Sequence, residues 1–209
     1  PVLVGYAEAR SPLCFDENMV DVFIAYIKRG LPQTLDTMPR AGTTAPATLA
    51  GTLAVGCAET LAAMVLAYAV DENAVVGVDV NCSHADMRSG LFAYGGFGRV
   101  PYILGRIAMI SHYYGCPAGV HGLKTNACTP GFEAGAEKML SMVMPILAGA
   151  CGIGTMGALE NAMTCSPVQM VLDNALVSGM RYVLKDFDFS DKAFALDLID
   201  QLGPGGEFL

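Results

Sequence analysis

Five times along the chain a short, β-favouring apolar run gives way to a turn and then to a longer run with helical spacing. Val2 to Ala9 precedes Glu17 to Arg29, and Gln33 to Met38 precedes Ala47 to Val70. Ala74 to Cys82 precedes Tyr102 to Tyr114, Ala118 to Leu123 precedes Phe132 to Ala150, and Gly152 to Thr155 precedes Pro167 to Lys185. A last amphipathic stretch, Ala193 to Leu202, runs into Gly203-Pro204-Gly205-Gly206. Regular strand and helix alternation predicts an α/β fold with a parallel sheet and right-handed crossovers, either a barrel or a doubly wound sheet. Ser166-Pro167 reads as a cap followed by proline at the first helical position, and Glu133 and Glu137 stand where the helix dipole favours acids. Pro145 is expected to kink its helix.

In parallel βα architectures reactive groups gather where strands end and loops begin. Four loops qualify. Pro39 to Pro46, with Thr43 and Thr44 beside a glycine, reads either as an anion cradle at a helix start or as an ordinary cap. In VVGVDVNCS, Asp79, Asn81 and Ser83 share one strand face, and His84, Asp86 and Arg88 follow. Polar residues alternating inside an apolar strand are costly to bury without partners, so they form either a pocket or a polar layer satisfied by neighbouring strands. VHGLKTNAC places His121 in a strand, Lys124 at its end and Asn126 beyond, and His121 is either a ligand contact or a satisfied core residue. Glu160 and Asn161 follow the glycine-rich strand, where Glu160 serves chemistry or caps the coming helix. The loop Phe92 to Gly98 adds Tyr94 and Phe97, aromatic faces suited either to a ligand cation or to packing.

Composition narrows the field. The 209 residues are read as a single domain, 53% hydrophobic and only 15% charged, which excludes disorder and leaves apolar surface for association, such as a homo-oligomer. A formal net charge of -8 with no basic run disfavours a nucleic-acid partner. Seven cysteines, widely spaced and without a C-x-x-C pair, suit buried thiols in a reducing, cytoplasmic setting. The chain opens on Pro1 with no leader pattern, which suggests processing or a piece of a longer chain. Ala45 to Val70 holds one charge, Glu59, and is long enough to span a bilayer. Its Ala, Gly and Thr content and the absence of flanking Lys/Arg asymmetry favour a buried helix and no membrane.

Other chemistries fare poorly. Gly152, Gly154 and Gly157 have the spacing G-x-G-x-x-G, but no helix follows at once and no acid closes the next strand about 20 residues on, as dinucleotide binding requires. Close backbone approach explains these glycines better. Three histidines without ligand spacing give no zinc set, and no G-x-S-x-G elbow occurs.

GTTAPATLAGTLA with Ala58-Glu59-Thr60, then Asp86 to Gly90 (DMRSG), Ala134 to Lys138 (AGAEK), GALENAMTCSPVQ and GPGGEFL together resemble the trimethylamine:corrinoid methyltransferase family, including its glycine-betaine-type members. The resemblance covers nearly the whole chain from about Gln33 onward. It implies the C-terminal part of an (α/β)8 barrel, here an incomplete barrel of about five units with unpaired sheet edges. It also implies methyl transfer from a methylated amine to the cobalt(I) corrinoid of a cognate corrinoid protein, with no permanently bound cofactor or metal. On that reading Asp79, Asn81, Asp86 and Arg88 shape the pocket, Tyr94 or Phe97 faces the cation, and Thr43, Thr44, His121 and Glu160 contribute around them; no catalytic side chain is assigned. The pyrrolysine of trimethylamine-specific members is not written here, and Gly131 and Glu133 stand where members carry Asp and Gln. Both departures favour a quaternary amine. The alternatives are an incomplete barrel that binds an amine or partner without turnover, and a βα enzyme for an unrelated metabolite.

Overall fold

The computed structural model describes residues 3–208, so Val2 of the first expected run and Leu209 of the last motif lie outside the described residues. Residues up to Ala175 form one compact unit and those from Leu176 a second.

In the first unit, strand β1 (Gly5–Ala9) pairs in parallel with β2 (Gln33–Thr37), and β2 with β4 (Val76–Val78). Helix α1 (Glu17–Ile27) joins β1 to β2. Past Met38-Pro39 the second strand resumes as β3 (Arg40–Ala41), parallel to β5 (Ser83–His84), so each of these two chains continues toward the same end of the sheet after a break. Helix α2 (Leu49–Val70) begins two residues later than expected, capped by Thr48, whose side chain accepts from the Gly51 amide. A 3-10 turn (Phe97–Arg99) leads into α3 (Val100–Ile107), which passes into a π-helical stretch, Ala108–Tyr113. Strand β6 (Gly119–Val120) pairs in parallel with β7 (Gly152–Ile153), with α4 (Phe132–Leu147) between them. α4 ends two residues beyond Pro145, short of the expected Ala150, because Gly149 turns left-handed at φ +97° and its amide and that of Ala150 close back on the Ile146 and Pro145 carbonyls. A small antiparallel hairpin, β8 (Ala158–Leu159) and β9 (Thr164–Cys165), precedes α5 (Pro167–Val183). Among the described residues no closed barrel forms.

The helices cover one face of the strands. Ala7, Ala9 and Leu35 pack on Phe23, Ile27, Ala63 and Ala67 of α1 and α2. Val80, Cys82 and Val120 pack on Tyr102, Ile103, Ile107 and Ile110. Gly56 lets α2 touch the sheet: a Cβ there would lie 2.5 Å from Val80 Cγ1. α2 is long and apolar enough to cross a membrane, and it is not wholly buried as the sequence suggested. One stripe, including Thr52, Glu59 and Thr60, faces the sheet, while Val65 stays 71% exposed. Glu59 accepts from Ser11 Oγ and the Leu13 amide, both at 2.8 Å, which explains a carboxylate in an apolar helix.

The second unit holds the end of α5, then α6 (Asp191–Phe194) and α7 (Leu196–Leu202), with Phe187, Phe189 and Phe194 in ring contact.

Candidate active site

The strand face opposite the helices is polar. Side chains alternate along a strand, so with Ala7, Leu35 and Val120 on the helix side, Tyr6, Glu8, Thr34, Asp36, Asp79 and His121 point the other way. Parallel sheets ordinarily carry apolar side chains on both faces. A hollow of ≈ 410 Å³ opens on this face beside Asp79 and His121. Gly77, Gly119, Gly152 and Gly154 line it without adding side chains.

Asp36, 1% exposed, accepts from Tyr6 Oη at 3.1 Å and from the Thr37 amide at 2.8 Å. Burial raises its carboxyl above the usual range, with Arg106 opposing. Asp79 is pushed up to about 6, chiefly by burial and further by Asp36, again against Arg106. Glu8 is raised by burial and by Asp36. His121 is pushed down to about 4 by burial and by Lys124, so its imidazole is neutral, and Nδ1 lies 3.2 Å from Thr155 Oγ1.

No strand pairing joins β4 to β6 among the described residues; two buried guanidiniums stand there instead. Arg106 pairs with Asp79 and donates to the Gly119 carbonyl. Arg99 donates to Asn81 Oδ1 at 2.8 Å, to the Tyr94 carbonyl at 2.7 Å and to the His121 carbonyl at 3.0 Å. Burial and the nearby Arg106 press Arg99 down to about 10, which leaves it charged at neutral pH.

Tyr94 and Lys124 close one side. The Lys124 ammonium sits 3.8 Å over the Tyr94 ring and the Arg99 guanidinium 5.5 Å from it, so protein cations occupy the ring that the sequence offered to a ligand. Lys124 is held by its neighbours: Glu137 Oε2 accepts from Thr125 Oγ1 at 2.6 Å and from the Asn126 amide at 2.8 Å. Asn161 ties in the aromatic loop, accepting from the Tyr94 amide and donating to the Phe92 carbonyl. Several of the motif residues are thus framework. Gly157 belongs with them: at φ +81° it donates its amide to Asp173 Oδ2 at 2.7 Å, a structural use of the G-x-G-x-x-G spacing.

The structure brings Asp79, Asn81, His121 and Tyr94 around the two arginines. It places Asp86 and Glu160 elsewhere, on a second hollow of ≈ 610 Å³ shared with Phe92, Asn126 and Asn161. There Asp86 is exposed and caps its own turn, accepting from the Arg88 amide at 3.0 Å and Ser89 Oγ at 2.8 Å, and Glu160 accepts from Thr164 Oγ1 at 2.7 Å. Arg88 is exposed, and Phe97 is 60% exposed. Thr44 Oγ1 accepts from the Arg40 amide at 2.9 Å and Thr43 Oγ1 donates to the Arg40 carbonyl at 3.4 Å, closing a turn.

Sequence reasoning passed over Tyr6, Glu8, Asp36, Arg99 and Arg106. Their signals were present: Tyr6-Ala7-Glu8 and Thr34-Leu35-Asp36 alternate with period two, and Arg99 and Arg106 lie seven apart on one helical face. The ligand atoms of Asp36, Asp79 and His121 lie within 4.8 Å of one another, the spacing of a divalent-ion site, but Arg106 already supplies positive charge to Asp79.

The trimethylamine methyltransferase (MTTB) family matches residues 1–209. A glycine betaine methyltransferase of Desulfitobacterium hafniense is 30% identical over all of this chain and 44% of its own length. A trimethylamine methyltransferase, MttB, of Methanosarcina barkeri is 32% identical over 95% of this chain and 40% of its own length. The chain therefore spans less than half the length of these curated relatives. On the match over its whole length, the chain belongs to the trimethylamine methyltransferase (MTTB) family.

Proposed function

We propose that this chain carries the methylated-amine side of a methyltransferase, in which the polar hollow holds a quaternary ammonium for transfer of one methyl group to the corrinoid of a separate protein. The five successive βα units are then consecutive units of an (α/β)8 barrel, and the helix-free face is its interior. The single observation that carries the reading is the pair Asp36, buried, and Asp79, half-buried, two carboxyls on that interior face in a chain of this family.

A corrinoid in its cobalt(I) state supplies the electron pair that takes up the methyl carbon; the C–N bond breaks and its electrons remain on nitrogen as a neutral tertiary amine. No proton need move for that step, so this chain's task is placement. Asp36, Asp79 and Glu8 attract the ammonium, and Tyr6 holds Asp36 in place. The cation fades as the bond breaks, so carboxylates that bind it too strongly would favour the ground state. Arg106 moderates this by neutralising Asp79. The corrinoid, a second substrate, needs no ligand from these residues; it needs approach to the hollow.

Incubating the intact protein with a cobalt(I) corrinoid protein and a panel of amines tests the reading. Methyl-corrinoid absorbance is expected to rise with a quaternary amine and not with trimethylamine. Saturable amine binding without any transfer would replace it with a binding module.

A further inference from the structure

We infer that a cavity behind Asp79, between α2 and the π-helical stretch, is a binding site for a small uncharged apolar molecule about the size of benzene. It is separate from the polar hollow and does not rest on the proposed amine site.

The cavity measures ≈ 130 Å³. Leu61 and Met64 of α2, Val78 and Val80 on either side of Asp79, and Met109 of the π-helical stretch give it an apolar wall. Apolar-walled cavities of about 150 Å³ admit benzene or xenon. The lining residues that carry a hydroxyl or a thiol are already engaged inside the protein. Thr60 Oγ1 donates to the Asp79 carbonyl at 3.0 Å, Cys57 Sγ and Tyr114 Oη meet each other at 2.9 Å, and Cys116 Sγ donates to the Tyr114 carbonyl at 3.6 Å. An ion or a strongly polar ligand would give up its hydration here without adequate replacement. A molecule lacking hydrogen-bonding groups loses nothing and gains dispersion contact on every side.

A second feature singles out the same wall. Residues 108–113 coil as a π-helix, with the Tyr114 amide bonding back five residues to the Met109 carbonyl at 3.1 Å. Such stretches are rare and recur at functional sites. This one sets both Met109 and Tyr114 on the cavity. Met64 and Met109, unbranched and polarizable, adapt to flat or branched shapes. Leu61 and Tyr114 are exposed and mark the mouth. The cavity also touches what holds Asp79. Thr60 grips its carbonyl, and Arg106, its ion-pair partner, belongs to the helix that runs on into the π-helical stretch. An occupant is therefore expected to stiffen residues 78–80 and 109–114 together.

Thermal melts of the intact protein with and without saturating benzene test this, alongside two variants. Leu61→Trp fills the mouth, and Val65→Trp changes an exposed α2 residue one turn on, outside the lining. Benzene is expected to raise the melting temperature of wild type and Val65→Trp by about 1–3 °C and to leave Leu61→Trp unmoved. Amide exchange over residues 78–80 and 109–114 should slow in the two proteins that respond. No rise in wild type would overturn the site. A rise without that slowing, or an equal rise in Leu61→Trp, would place benzene elsewhere and overturn it too. Should Leu61→Trp fail to melt cooperatively, or Val65→Trp also lose the response, crystals of the intact protein under xenon decide. An anomalous peak against Met64, Val80 and Met109 sustains the site, and none there overturns it.

Discussion

Lys138 Nζ lies 2.7 Å from Asp173 Oδ2, and both side chains are wholly buried. The pair joins α4 to α5, and the same carboxylate also takes the Gly157 amide and, through Oδ1, Gln169 Nε2. Lysine in AGAEK and glutamine in SPVQ are therefore parts of one polar junction. Removing one partner strands a buried charge. Asp173→Leu is expected to cost about 3–5 kcal/mol, and Lys138→Met with Asp173→Leu together less than the sum of the single changes. Urea unfolding of the four proteins measures both.

Glu137 acts through the turn it holds. Glu137→Gln keeps one acceptor oxygen and loses the charge, so the bonds from Thr125 and Asn126 weaken by about 1–2 kcal/mol. Amide exchange over residues 124–127 is expected to quicken. Unchanged exchange would mean that Glu137 does not hold this turn.

Asp79 gives stability a pH signature. Its carboxyl stands near 6 in the folded chain against an ordinary 3.8, so the folded state holds that proton more tightly than the unfolded one. The stability this contributes is complete below about pH 4 and lost as pH rises through about 6. Asp79→Asn should flatten that window in a series of thermal melts from pH 4 to 7. A wild-type curve that rises there in parallel with the variant's would contradict the assignment.

Gly157 should tolerate no side chain. At φ +81° an alanine is strained, and its Cβ would meet Met170 at 3.2 Å. Gly157→Ala is expected to cost about 1–2 kcal/mol and to lower the melting temperature. An unchanged melting temperature would mean that the left-handed turn does not require glycine at this position.

What the sequence discloses here follows from how each signal is encoded. The βα rhythm is local, so the order of strands and helices was legible, as were Asp79, Asn81 and His121, polar residues inside apolar runs. Asp36 was harder. Gln33 and Thr37 flank it in QTLDT, so its alternation is masked by polar residues that lie on the helix side. Arg99 and Arg106 read as ordinary helix charges, because nothing local says that β4 and β6 leave a gap for guanidiniums. DMRSG pointed to Asp86 and Arg88, whose side chains lie on an exposed turn: a motif marks residues that matter without saying whether for fold or for ligand.

The most direct measurement is a crystal structure of the intact protein with tetramethylarsonium, whose arsenic gives an anomalous peak marking the cation. That peak is expected in the hollow beside His121, within about 6 Å of the Asp36 and Asp79 carboxylates. A peak beside Asp86 and Glu160, or only on outer surface, would contradict the proposed amine site.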